Sequence, residues 1–151
     1  FLGLTSLTLL LGWRLALLAP CLTLLILAAF DVTELADIGW QALIGVALPV
    51  ATSWLLFLAS WAWLPRHLFV YLFVAAFLGG ALSISVKVIA SALLMGMSGT
   101  YPWHTIGADY LSIWPLLLFP EALLNGMTMT LLAVYRPHWV NTFFDREYLG
   151  R

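Results

Sequence analysis

Glu121 and Asn125 stand four residues apart in the apolar run "FPEALLNGMTMTLLAVYRP", from Phe119 to Pro137. In a helix that spacing puts both on one face. A carboxylate and a carboxamide so placed can clamp a neighbouring helix or line a substrate or ion pathway. A second ionisable group, Lys87, lies inside another apolar run. At ~1.5 Å per residue it is about 15 Å of helix from Met97, and Glu121 is about 21 Å from Tyr135. Neither reaches the interface easily, and a mid-bilayer charge costs at least about 2.5–3.5 kcal/mol, so each calls for a partner or a water-filled cavity. Antiparallel neighbours would bring the two to one depth, and a Lys87–Glu121 ion pair is the expected arrangement. Pro120 lacks an N–H and is expected to interrupt its helix, freeing carbonyls that Asn125, Lys87 or water could satisfy.

The elements that must position these groups follow from composition. Of 151 residues 64% are hydrophobic and only 9% charged, with a mean hydropathy of +1.04. Soluble domains are about half apolar and about a quarter charged. The fold class is therefore all-α, a polytopic helical membrane protein with at least four transmembrane helices. About 20 apolar residues cross the hydrocarbon core, and the spans fall at about 13–30, 39–64, 68–97 and 110–135 of a single integral membrane domain covering residues 1–151. The opening "FLGLTSLTLLL" is too short to cross alone; it is the end of an earlier helix, a re-entrant piece, or an extension of the first span. Residues 68–97 exceed the need and are expected to tilt, protrude or bend near Gly79 and Gly80. "GALS" and "NGMT" place small residues where helices approach closely. The chain begins with Phe1, in an apolar stretch without the basic start or cleavage site of a signal peptide, and upstream sequence is expected to be missing.

Charge is distributed unevenly. Asp31 to Asp37 and Ser98 to Asp109 contain no Lys or Arg, whereas Arg14, Arg66 and Arg136 flank the spans and Arg146 and Arg151 lie in the tail. Positive-inside bias puts the 65–67 turn and the C-terminal tail, 136–151, in the cytoplasm, with Arg14, Arg66 and Arg136 as anchors. Trp13, Trp61, Trp63, Tyr101, Trp103, Tyr110, Trp114, Tyr135 and Trp139 fall near the span ends, as interfacial aromatics do. The tail, with its aromatics and alternating charges, is expected to contact partners or lie on the membrane surface.

Other chemistries find little support. Six Lys and Arg against seven Asp and Glu give a net charge of −1, which excludes a basic field for nucleic acid. The single cysteine, Cys21, cannot form an internal disulfide and reads as a small packed hydrophobe. His67, His104 and His138 are isolated, and by this topology His104 lies on the opposite side from the others. His104 with Asp109 is a weak candidate for a metal or proton site. Met95 and Met97 are two apart, as are Met127 and Met129, so neither pair shares a helix face; core packing is expected. No convergent Ser, His and acid grouping, phosphate loop or haem motif appears, and the chain is not expected to be an enzyme or to hold a cofactor.

The order "LTLLLGWRLALLA", an acidic loop ending in "LADIGWQALIGVALPV", then "HLFVYLFVAAFLGGALS" and "FPEALLNGMTMTLLAVYRPHWV" resembles the membrane permeases of energy-coupling-factor cobalt and nickel uptake. It is most similar to their short proteobacterial relatives described as membrane proteins. Gly39 and Gln41 fall where the family commonly has Gly-x-Asn, and Glu121, followed here by Ala122, where it has Glu-Gly. Gln41 thus joins Lys87, Glu121 and Asn125 as a pathway candidate. The family's Met-His start, which threads into the protein and supplies ligands, and a further upstream histidine have no counterpart in these residues. Without them the resemblance implies fold and membrane placement; upstream sequence carrying them would add metal uptake.

Two functions follow. The first, favoured on resemblance, is a permease-type component capturing divalent cobalt or nickel in the bacterial inner membrane, with a coupling membrane protein and cytoplasmic ATPases. The alternative is a non-catalytic accessory transmembrane subunit of a respiratory or oxygenase complex, packed against other subunits, lipids or quinones.

Overall fold

The computed structural model describes residues 2–30, 32 and 34–143. Asp31, Arg146 and Arg151, and with them the end of the tail, lie outside the described residues. Helix α1 is Leu4–Leu11 and α2 is Trp13–Ala29. Three longer apolar helices follow: α3, Ala36–Trp63; α4, Leu68–Met97; and α5, Trp103–Tyr135. A 3₁₀ turn, Pro137–Trp139, closes the description. Among the described residues there is no strand. The protein is a polytopic helical membrane protein, and large side chains such as Leu18, Leu55, Phe69, Leu116 and Leu131 cover its outside.

The bounds of α2, α3 and α4 fall close to those of the first three expected segments; α3, α4 and α5 are long and apolar enough to cross a membrane, and α2, at 17 residues, is a shorter apolar helix. The fourth starts earlier than its hydropathy suggested. Pro102, extended at φ −67° and ψ 146°, begins a helix at Trp103, so His104 and Asp109 sit on helical turns and not in a loop. The indole of Trp103 covers Gly96 of α4 and fixes that beginning.

The long helices are not uniform. A π-helical stretch, Leu43–Ala47, precedes Pro49 in α3, and another, Ile106–Tyr110, leads through a 3₁₀ turn, Leu111–Ile113, to Pro115 in α5. A proline ring clashes with the carbonyl four residues back, and a widened turn moves that carbonyl aside. A third such stretch, Tyr71–Leu78, ends at Gly79, the place where α4 was expected to bend. Pro120, by contrast, does not interrupt its helix: α-helix runs unbroken from Trp114 to Tyr135. One helical hydrogen bond is lost there, while α1 and α4 brace the next turn of α5.

The least expected element is α1. It is not an extension of α2, from which Gly12 separates it, but a short helix inside the bundle, with Leu4, Thr5, Ser6, Thr8 and Leu9 buried. Its polar side chains are satisfied internally: Thr5 Oγ1 and Ser53 Oγ of α3 are 2.7 Å apart, and the Thr8 hydroxyl donates to the Leu4 carbonyl at 2.7 Å. At its C-terminal end, where carbonyls lack intrahelical partners, the segment after α5 folds back. The Asn141 and Thr142 N–H groups donate to the Leu10 and Leu9 carbonyls at 3.0 and 3.3 Å, and the Thr142 hydroxyl donates to Leu9 at 2.7 Å. Tyr71 Oη lies 2.7 Å from that hydroxyl. Val140 and Phe143 join Leu9, Phe57, Tyr71 and Met129 in one core cluster. This part of the tail is therefore packed into the protein, not spread on the membrane. A second cluster, Leu4, Ala16, Leu24, Val46 and Val50, joins α1, α2 and α3. Met129 alone of the four methionines is fully buried; Met97 and Met127 are exposed, which corrects the expected core role.

Candidate substrate site

The N-terminal end of α1 rests on Glu121 and Asn125. Gly3, at φ 76° in the left-handed region that glycine tolerates, turns its N–H onto Glu121 Oε1 at 2.9 Å. The Ser6 N–H and hydroxyl both donate to Asn125 Oδ1 at 2.7 Å. Asn125 Nδ2 donates to Glu121 Oε1 and to the Glu121 carbonyl, each at 2.8 Å. The amide thus serves the carbonyl of Glu121 itself, not one freed by Pro120. A helix starts with unsatisfied N–H groups and a partial positive charge, and here a carboxylate and a carboxamide from another helix supply the acceptors. Gly80 makes the arrangement possible: a Cβ there would stand 2.9 Å from Asn125 Nδ2 and 3.1 Å from the Glu121 carbonyl oxygen.

Glu121 is 4% exposed and Asn125 0%. One oxygen of this cluster is left over: Glu121 Oε2 is buried and has no hydrogen-bond partner. Glu121 lines a cavity of about 10 Å³ together with Leu4, Pro49, Ser83, Ile84 and Lys87. The expected Lys87–Glu121 ion pair is not formed; among the described residues Lys87 makes no direct ion pair, and the two side chains share this cavity instead. Helical spacing brought them to one cavity, while Gly3 and Asn125 donate to Glu121 Oε1.

Lys87 also borders a larger, open cavity of about 510 Å³, lined by Trp40, Gln41, Ser91 and Met95 among others. Lys87, Ser91 and Met95 follow one another at helical spacing along α4. The cavity therefore runs inward from the end of the bundle where α2 and α4 finish and α3 begins. Gln41, exposed, lines this vestibule without touching Glu121. The four polar candidates thus fall in sequence: Gln41, Lys87, then Glu121 with Asn125.

His104 and Asp109 are exposed; Asp109 lines a separate cavity of about 320 Å³ with Tyr101 and Met95, while His104 lies 3.2 Å from Thr105 Oγ1. Among the described residues no group of three or more His, Cys, Asp and Glu side chains could hold a metal. Arg14, Arg66 and Arg136 are exposed, each stacked on a tryptophan: Trp13 at 5.3 Å, Trp61 at 4.5 Å and Trp139 at 5.4 Å. Chain connectivity puts all three at the end opposite the vestibule.

With this geometry in view, a family model matches residues 1–139: CbiM, the cobalt uptake substrate-specific transmembrane region. The chain belongs to the CbiM family. No curated protein and no solved structure gives a significant match. CbiM is a transporter family and not an enzyme family, and the match gives an accessory role in a respiratory or oxygenase complex no support. Every polar candidate lies within the CbiM match, as does α1. The parts that sequence reasoning missed are Gly3 and Ser6, which occupy Glu121 and Asn125, and Ser83, which lines the inner cavity. The signal was present in "LTSLT": Thr5, Ser6 and Thr8 in an apolar run belong to a helix that faces protein.

Proposed function

We propose that this CbiM-family chain is the substrate-capturing component of a cobalt uptake system in the bacterial inner membrane, working with a coupling membrane protein and cytoplasmic ATPases. The substrate is a divalent cobalt ion; nickel, which the sequence resemblance also implied, gains no support from the family description. Gln41 and the vestibule receive the ion, and Glu121 neutralises it in transit.

The observation that carries this role is the leftover oxygen, Glu121 Oε2. Burying a polar atom unpaired costs free energy, and a buried charge costs more. A protein built only to seat α1 would need Oε1 and Asn125, both of which are engaged. On a residue that lines a cavity, Oε2 adds a hard oxygen donor of the kind that divalent cations accept alongside water. Neither His104 nor Asp109 lines the vestibule or the inner cavity.

The test is purification of the native protein in mild detergent, with mass spectrometry of whatever co-purifies and elemental analysis of bound metal. Co-purifying ATPases and a coupling membrane protein, with cobalt above background, are expected. A stoichiometric respiratory or oxygenase complex without ATPases would contradict the proposal.

A further inference from the structure

Between α4 and α5 the outside of the bundle carries a groove of about 460 Å³. Phe69 and Phe73 of α4, their rings stacked with centroids 6.4 Å apart, stand on one side of it, and Met127 and Leu131 of α5 on the other. All four are exposed, so the groove opens to the surroundings of the helices. Gly126 lets Phe77 lie against α5 within the lining, where a Cβ on residue 126 would stand 3.1 Å from the ring. Phe73 and Phe77 belong to the π-helical stretch Tyr71–Leu78, a rare conformation that often marks functional sites. The one polar side chain in the lining is Thr130, whose hydroxyl already donates to the Gly126 carbonyl at 2.7 Å. Nothing in the groove asks for a polar partner, and its occupant is therefore hydrocarbon.

Length decides between the hydrocarbon of a lipid and that of another protein. From Leu123 to Leu131 the groove follows α5 for about 12 Å, and from the helix end at Tyr135 it reaches about 18 Å inward, at ~1.5 Å per residue. That is close to half of a hydrocarbon core of about 30 Å. A spanning helix of another subunit packs along both leaflets, whereas an acyl chain ends near the midplane. The mouth of the groove names the headgroup. Arg66 precedes Phe69 by three residues and Arg136 follows Leu131 by five, and both are exposed. In sequence, all five arginines but only two of the seven acids, Asp145 and Glu147, belong to the segments at this end. A lipid tail is as apolar as the lining, so a chain gains no hydrophobic free energy by entering. A lasting occupant must be held by its headgroup as well. We infer that this groove is a binding site for one anionic phospholipid, with an acyl chain against Phe69, Phe73 and Met127 and the phosphate at Arg136. Arg66 adds to the positive field there. The inference stands apart from the transport role.

The experiment reconstitutes the full chain with equal amounts of phosphatidylglycerol and phosphatidylcholine of identical chains, and native mass spectrometry identifies the lipid that stays bound. One phosphatidylglycerol per chain is expected, favoured over phosphatidylcholine by about tenfold. Arg136→Gln is expected to lower that preference by about fivefold. Met127→Trp fills the groove and is expected to abolish retention of either lipid. Leu18→Trp adds the same bulk to the exposed side of α2 and is expected to retain lipid like the parent. A second readout does not depend on how Met127→Trp folds. With Met127 replaced by photoreactive benzoylphenylalanine, illumination of native membranes is expected to cross-link the chain to an anionic phospholipid. Equal retention of the two lipids by the parent, or retention unchanged in folded Met127→Trp, would overturn the inference. So would cross-linking to another protein, or to phospholipids merely in proportion to their abundance.

Discussion

Asn125 uses both ends of its amide, accepting twice from Ser6 and donating twice to Glu121. Replacing it with leucine strands the Ser6 N–H in a dry interior, and each stranded buried group costs about 1–3 kcal/mol. Asn125→Leu is therefore expected to lower the thermal unfolding temperature in detergent clearly; an unchanged Tm would show that the α1 seat contributes little. Gly80→Ala tests the same turn from the other side. Its Cβ would meet backbone at 3.1 Å, and overpacking of this kind costs about 1–3 kcal/mol. Gly39→Ala, with nothing within 4 Å of its Cβ, serves as the neutral control in the same melts. At this scale the sequence was legible where one helix was concerned: the four-residue spacing of Glu121 and Asn125 did place them on one buried face. It could not show that a backbone N–H would take Glu121 Oε1, because such a partner leaves no mark in residue types.

Among the elements α1 is the least supported by its own length and the most enclosed. Eight residues form a marginal helix in isolation, so α1 depends on the packing of Leu4 and Leu9 and on its two bonded ends. One end sits on Glu121 and Asn125, and the other is held by Asn141 and Thr142. Thr142→Val removes the hydroxyl that joins Leu9 to Tyr71. The loss of such bonds costs about 0.5–1.5 kcal/mol each, and faster hydrogen exchange at the backbone amides of α1 is the expected readout. Protection equal to the parent would mean that the tail does not hold the helix. Hydropathy exposed the long elements because each is a continuous apolar run, and it missed α1 and the tail because capping of carbonyls has no periodic signature. It likewise missed the early start of α5 at Trp103, where polar residues disguise the helical turns, although Pro49 and Pro115 do mark where the π-helical turns precede them.

For the whole molecule, the two ends of the bundle differ in kind. Arg14, Arg66 and Arg136 stack on tryptophans at one end, where exposed cation–π contacts contribute about 0.5–1 kcal/mol apiece. The vestibule opens at the other. In a Cys21→Ala background, Ser91→Cys is expected to react with a membrane-impermeant thiol reagent from the periplasmic side and Arg66→Cys only from the cytoplasmic side. Labelling of both from one side would refute the topology. Charge asymmetry already grouped Arg14, Arg66 and Arg136 at one end, and the labelling tests which side of the membrane that end faces. The pair of cavities lined by Gln41, Lys87 and Glu121 was not legible, since four helices and α1 must be packed before they exist.

The central claim is that the unpartnered oxygen of Glu121 serves cation passage and not merely the seating of α1. Glu121→Gln separates the two, because the amide oxygen can still accept from Gly3 and Asn125 while the charge is gone. Radioactive cobalt uptake should be measured in cells carrying the partner subunits, with the variant matched to the parent in membrane abundance. Uptake falling to the level of cells lacking the protein is the predicted result. Parental uptake at matched abundance would contradict the claim and leave Glu121 a structural cap.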